Sequence, residues 1–212
     1  MPASTDITGL AGIAGALGWM VTALPGLRGL SGQKVAWTVV AVSVVAVVPV
    51  AGWSVAVGVR GVTGDLSMTT MVWLGWSRWG RGTREATMEE ARLEEGSRYG
   101  LETLIGVAAL ALYPMALGIG RIDPYRLGYG SGWFLSTLLV VALVAWFRRA
   151  EVVALAIALA VLAWTGRWNE SSNLWDYLLD PLVSFYALGR WGARGVKWAH
   201  RRIAGGLAGV KR

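Results

Sequence analysis

The sequence predicts an all-α protein, a polytopic transmembrane helical bundle of about six spans. Three observations predict it. The 212 residues are 55% hydrophobic and only 16% charged, well under the roughly 25% charge of an ordinary soluble domain. Charge-free apolar runs recur at a length that suits a membrane, since a helix needs ~20 residues to cross the hydrocarbon. The net charge of +7 is gathered beside the last of these runs, where retention of positive charge in the cytoplasm would put it.

The first run, 7–27, follows MPASTD, which has an aspartate and no basic residue, so it reads as a retained span and not as a secretion signal. Gly9, Gly12, Gly15 and Gly18 alternate there with Ala11, Ala14 and Ala16, small-residue pairs that let another helix approach closely. The second run, 35–59, contains Pro49 and the third, 103–120, contains Pro114. Each proline removes a backbone donor and is expected to kink its helix. Between these runs, 60–100 is too polar to span. Met68, Met71, Val72, Trp76 and Trp79 recur there at helical spacing, with Trp73 beside them and Ser77, Arg78 and Arg81 elsewhere, the pattern of an amphipathic helix lying in the headgroup layer of the inner loop. Glu89 with Arg92 and Glu94 with Arg98 then support a solvated helix.

Runs 127–147 and 150–166 are joined by Phe147-Arg148-Arg149-Ala150-Glu151, a helical hairpin whose basic bend should face the cytoplasm. The sixth segment, 174–191, carries Asp176 and Asp180. In the basic tail, 190–212, Arg190, Arg194, Lys197 and Arg201 share one helical face while Trp191 and Trp198 share another. This tail is expected to be an interfacial helix on the inner leaflet, with Arg190, Arg194, Lys197, Trp198, Arg201 and Arg202 touching anionic lipid. Alternation from the basic bend makes the chain a single membrane domain of a bacterial-type inner membrane. The loop 60–100 and both termini are then cytoplasmic, and the loops 121–132 and 167–173 lie outside.

Charge and composition also limit the function. Of the 20 basic residues seven lie from Arg190 onward with no acid among them, leaving 13 basic against 13 acidic elsewhere. One juxtamembrane tail thus accounts for the whole excess, which argues against nucleic acid as a partner. Cysteine is absent and the single histidine, His200, lies in that tail, so thiolate chemistry and imidazole-held haem are not expected. No Gly-x-Ser-x-Gly, His-Glu-x-x-His or phosphate-loop pattern occurs, and no catalytic, cofactor or metal residue is assigned. Small size and the lack of paired broken helices speak against a secondary transporter acting alone.

The residues that could carry chemistry cluster on the loops assigned outside: Arg121, Asp123, Tyr125 and Arg126 on one, Asn169, Glu170, Asn173, Asp176, Tyr177 and Asp180 on and after the other. Asn173, Asp176, Tyr177 and Asp180 fall on one helical stripe, which should avoid lipid and pair with Arg121 or Arg126. Asp123-Pro124 and Asp180-Pro181 equally have the form of helix N-termini, and the Trp and Tyr residues that of an aromatic belt. The leading expectation is an accessory, structural or assembly subunit of a larger membrane complex, without a catalytic centre, bound to other integral subunits and to anionic lipid. The alternative is a small membrane enzyme or carrier that handles a lipid-linked or anionic substrate at the Asp/Arg/Tyr cluster. A bare lipid-binding anchor would need only the tail.

Overall fold

A computed structural model describes residues 4–27, 29–79, 87–121 and 123–209. Among these the chain is helical throughout and forms a helical bundle without strands. Arg81, Lys211 and Arg212 lie outside the described residues, and so do the side chains of Ser77, Arg78, Trp79 and Arg201.

Helices α1 (Ser4–Thr22) and α2 (Gly32–Val47) form a tight antiparallel pair. A Cβ at Gly18 would sit 2.7 Å from the Val39 carbonyl oxygen, and the Ser43 hydroxyl donates toward Val39 O at 2.7 Å and Ala14 O at 3.0 Å. The small residues of α1 therefore seat the chain's own second helix. The run 35–59 is not one kinked span. Val48, ahead of Pro49, is extended, as the proline ring demands of the residue before it, and the helix stops. Val50 and Trp53 then exchange backbone hydrogen bonds at 2.8 and 3.1 Å around Ala51 and Gly52, both left-handed, a tight reversal of the primed type. Ser54 caps a new short helix, α3 (Val55–Thr63), by accepting from Val57 N.

Helix α4 (Met68–Trp79) departs most from expectation. The Met/Trp pattern predicts a helix in the headgroup layer, yet α4 is a wall inside the bundle. Leu74 and Met71 face a core built with Ile13, Ala14, Ala16 and Ala56, while Val72 joins a second core with residues of α5, α7 and α9. Both faces are covered, and its Thr69 and Thr70 are buried. Gly12 meets Met71 and Gly75 meets Trp19, so α4 runs parallel to α1.

Thr87 and Glu90 form a capping box for α5 (Met88–Ala116), in which each side chain takes the other residue's orphan N–H. The charged segment and the third run are one continuous helix, which ends two residues after Pro114. It is also the helix long and apolar enough to cross a membrane by length and composition; α1 from Asp6, α2, α6 (Gly132–Phe147) and α7 (Glu151–Thr165) are shorter apolar helices. The turn between α6 and α7 is closed by Ala150 N donating to Ala145 O, with Arg149 left-handed. After the single turn α8 (Trp175–Leu178), helix α9 (Pro181–Gly209) runs unbroken through what the sequence divides into a span and an interfacial tail. Helices α5 and α9 are antiparallel in a constant register, Tyr113 against Ser184 and Gly106 against Trp191.

These contacts define two ends. One holds the starts of α1, α4 and α9 with the 121–131 and 166–180 loops; the other holds the Arg148–Ala150 turn, level with Ser97, whose hydroxyl accepts from Val152 N. Among the described residues seven helices, α1, α2, α4, α5, α6, α7 and α9, run between these ends. Alternation through six spans separates Asp6 and Arg60 from Glu170. The structure brings all three together at one end of the bundle, with α4 packed against α1 and α7.

Candidate functional site

The clustered polar residues are assembled from two loops that hold each other. Asp123 accepts from Tyr125 N and Pro124 opens a short 3-10 turn, Pro124–Gly128. The second loop lies against it: Leu174 N donates to Gly128 O at 2.8 Å, Asn173 Nδ2 to Tyr125 O at 2.9 Å, and Trp175 Nε1 to Pro124 O at 3.0 Å. A Cβ on Gly128 would fall 1.7 Å from Asn173 Oδ1, so only glycine permits this approach. Asn173, fully buried, also accepts from Trp175 N through Oδ1. It staples the two loops together.

Below the staple, Asp176 Oδ2 accepts from the Tyr125 hydroxyl at 2.8 Å and from Ser171 Oγ. Burial, and then the bond to Asp176, push the Tyr125 phenol above its ordinary range, which keeps it a donor. The buried Tyr177 hydroxyl lies 3.1 Å from Asn169 O and 3.0 Å from Ser171 O while accepting from Asn169 N, and so shapes the 169–171 turn. Burial raises its phenol too. Asn169 Nδ2 donates to Leu66 O, which ties that turn to the start of α4.

Asp180 is almost wholly buried. Its Oδ1 accepts from Val183 N at 2.9 Å, the N-cap bond of α9. Its Oδ2 accepts from Ser67 N and Ser67 Oγ, both at 2.9 Å, and from Thr70 Oγ1. One carboxylate therefore caps two helices, α4 and α9, and takes the positive end of both dipoles.

Toward α1 the same region opens into two adjoining pockets. One, of about 330 Å³, is lined by Asp65, Asn169, Glu170, Asp176 and Asp180 among others. The other, of about 560 Å³, shares Asp65 and Glu170 and adds Asp6 and Arg60. Among the described residues Arg60 is its only cation. The guanidinium meets Asp65 at 2.7 Å, Glu170 at 2.7 Å and Asp6 at 3.2 Å, and the bond to Asp65 above all holds it protonated. Gly9 makes room for this group, since a Cβ there would lie 2.4 Å from Asp65 Oδ1.

Of the expected cluster, Tyr125, Asn169, Asn173, Asp176, Tyr177 and Asp180 come together, and Glu170 joins them through Arg60. Arg121, Asp123 and Arg126 are exposed, and neither arginine forms an ion pair among the described residues. Asp176 takes a neutral phenol and Asp180 takes helix N-termini where arginine was expected. Arg60, Asp65, Ser67 and Thr70 escape the sequence reading. Only Ser67 before Met68 carried a local signal, that of a helix cap. Among the described residues no three His, Cys, Asp or Glu side chains come together to hold a metal ion.

The basic residues of α9 divide in two. Glu102, 2% exposed, pairs with Arg194 at 2.7 Å and Arg190 at 3.6 Å. The Arg194 contact has the closeness of an ion pair without the alignment of a hydrogen bond. Arg194 also lies over the Tyr99 ring at 4.5 Å, and Arg202 over Trp198 at 5.0 Å. Arg190 and Arg194 thus pair with Glu102 across the contact between α5 and α9. Lys197, Trp198 and Arg202 are exposed, and Arg201 lies on the same helix. Comparison with family models, with curated proteins and with solved structures returned no match.

Proposed function

We propose that the chain is an integral membrane subunit that supports the assembly of a larger complex and has no catalytic centre of its own. What carries this reading is how the polar cluster is used. Asn173, Tyr177 and Asp180 have their hydrogen-bonding groups turned inward, and Asp176 gives Oδ2 to Tyr125 and Ser171, so that backbone and hydroxyl partners join loops and cap helices. Reactive groups aimed at a substrate would be held by a few supports with one face left open; here the supports take up the groups themselves. The exterior agrees with a lipid or subunit environment. Trp37, Val44 and Val45 on α2 and Leu139, Val140 and Val144 on α6 are all more than half exposed, an apolar outer surface larger than soluble monomers present. The anionic-substrate alternative meets an electrostatic obstacle, because the one cation lining the pocket already faces three carboxylates.

In this reading the chain lies in a bacterial-type inner membrane with the Arg148–Ala150 turn and α9's basic half cytoplasmic. Seven passes then put the start of α1 on the opposite side. Two measurements test the proposal. Gentle detergent extraction followed by native mass measurement should give a particle heavier than the 22.7 kDa chain with a stoichiometric protein partner; a lone monomer that turns over a small molecule would overturn it. In this cysteine-free chain, Ser4→Cys should react with an impermeant maleimide from outside intact cells and Ala208→Cys should not. Protection of both would return the six-span topology.

A further inference from the structure

Resting on the membrane reading above, we propose that the inner half of the α5–α9 pair is a site for the phosphate of one anionic phospholipid, organised by the buried Glu102. The argument begins with charge. Glu102 is enclosed between Arg190 and Arg194, so one carboxylate balances two guanidiniums and a single positive charge is left over. Helix α9 contains no acid that could cancel it, and Glu94 and Glu95 of α5 form no ion pair with it among the described residues. Lys197, exposed and on the same face one turn farther on, pairs with no carboxylate among the described residues.

Depth makes the surplus costly. Ser97 is level with the Arg148–Glu151 turn through its bond to Val152 N, and Glu102 lies five residues farther in, about 7 Å at 1.5 Å per residue. A net charge at that depth needs a counter-ion or a route to the headgroups. A phosphodiester supplies one negative charge and oxygens matched to guanidinium and ammonium donors. The surroundings favour a lipid over a free anion: Leu104 and Val107 on α5 and Val196 on α9 are exposed apolar side chains on the same two helices, and the Tyr99 and Trp198 rings lie under Arg194 and Arg202. Glu102 acts as a positioning residue, because it fixes the guanidiniums that meet the phosphate.

The experiment compares variants in nanodiscs of phosphatidylcholine with and without phosphatidylglycerol, then releases each protein for native mass spectrometry. Wild type should retain one phosphatidylglycerol, equally in chloride and in phosphate buffer. Arg194→Gln leaves a neutral Arg190–Glu102 pair and should bind that lipid about tenfold more weakly, one charge-assisted contact. Should Arg194→Gln fail to fold, the exposed Lys197→Gln decides, with a several-fold loss expected. Removing Arg148 and Arg149, basic groups at the same end, should change nothing. Loss in that double variant equal to the loss in Lys197→Gln would mean diffuse attraction. Undiminished retention in Lys197→Gln and Arg194→Gln, or displacement by inorganic phosphate, would overturn the site. Release of wild type by alkaline carbonate would instead sink the membrane reading, whereas an integral protein that exchanges all its lipid sinks only the site.

Discussion

The two polar regions of this bundle handle buried charge in opposite ways. At the end where α4 and α9 begin, carboxylates meet neutral donors: Asp180 takes two helix N-termini and two hydroxyls, and Asp176 takes a phenol and a serine. In the inner half, charge meets charge, with Glu102 between Arg190 and Arg194. Backbone amides and hydroxyls are fixed in number and direction, so the first arrangement can be closed completely and serves the fold. Ion pairs close only when the charges match, and two arginines against one glutamate do not. The hydrogen bonds around Asp180 close on themselves, whereas the pair around Glu102 leaves one positive charge over.

Asp180 offers the largest effect. Its replacement by Ala leaves Ser67 N–H, two hydroxyls and Val183 N–H without an acceptor, with about 1–3 kcal/mol at stake for each buried group left unsatisfied. Asp180→Ala should therefore not accumulate as folded protein. Asp180→Asn keeps one acceptor oxygen for α9 but turns an amide toward the Ser67 donors, so it should lose most of that stability as well. Thermal unfolding in detergent separates the cases. If Asn matches wild type, Asp180 caps α9 alone and its link to α4 contributes nothing.

Gly128→Ala comes next. A methyl group 1.7 Å from Asn173 Oδ1 forces the two outer loops apart, at a cost of about 1–3 kcal/mol in the usual range of overpacking. Pairing it with Asn173→Ala, which removes the obstructing side chain, should give less than the sum of the two single losses. Strict additivity in that cycle would mean that the loops are held together elsewhere.

The contrast between the two regions also explains what was legible in the sequence. Apolar runs announce α1, α2, α6 and α7, because each helix is made of consecutive residues with one environment. The helix of α4 was legible but its place inside the bundle was hidden, since Thr69 and Thr70 look like surface and the acceptor that makes their burial tolerable, Asp180, lies 110 residues from Thr70. The same distance conceals the site: Arg60 and Glu170 are 110 residues apart, and neither has a periodicity that points at the other. Glu102 fell one residue before the third run and so read as its boundary. Asp123-Pro124 and Asp180-Pro181, by contrast, were readable as caps, because a cap is a local device and both serve as one.

A smaller effect is expected at the Tyr125–Asp176 bond. Tyr125→Phe removes one donor from a carboxylate that keeps Ser171, and should cost about 0.5–1.5 kcal/mol. Its pH dependence is the sharper observation. The folded protein holds the phenol proton more tightly than an unfolded chain does, so the contribution is complete below the ordinary tyrosine value of about 10 and declines as pH rises above it. Absorbance at the tyrosinate band should show one fewer late-titrating phenol in Tyr125→Phe than in wild type, which also holds the raised Tyr177 phenol. An identical titration curve in the two proteins would mean that the phenol is open to solvent.

The least effect belongs to Glu170, the partner of Arg60 whose side chain is 61% exposed. Exposed ion pairs contribute about 0–1 kcal/mol, and salt screens them. Glu170→Gln should therefore shift the unfolding temperature little, and less still at high salt. Asp65 is different: its side chain is 13% exposed, it accepts from Arg60 through both carboxylate oxygens, and it accepts from Glu170 N. Asp65→Asn should cost clearly more than Glu170→Gln, because it leaves a mostly enclosed guanidinium with a neutral neighbour. The ordering tests whether the Arg60 cluster belongs with the closed, structural end or resembles the unbalanced pair around Glu102. Were Glu170→Gln the more damaging of the two, the exposed carboxylate would be the one that matters, and the pocket it lines would have to be regarded as a binding site for a cation.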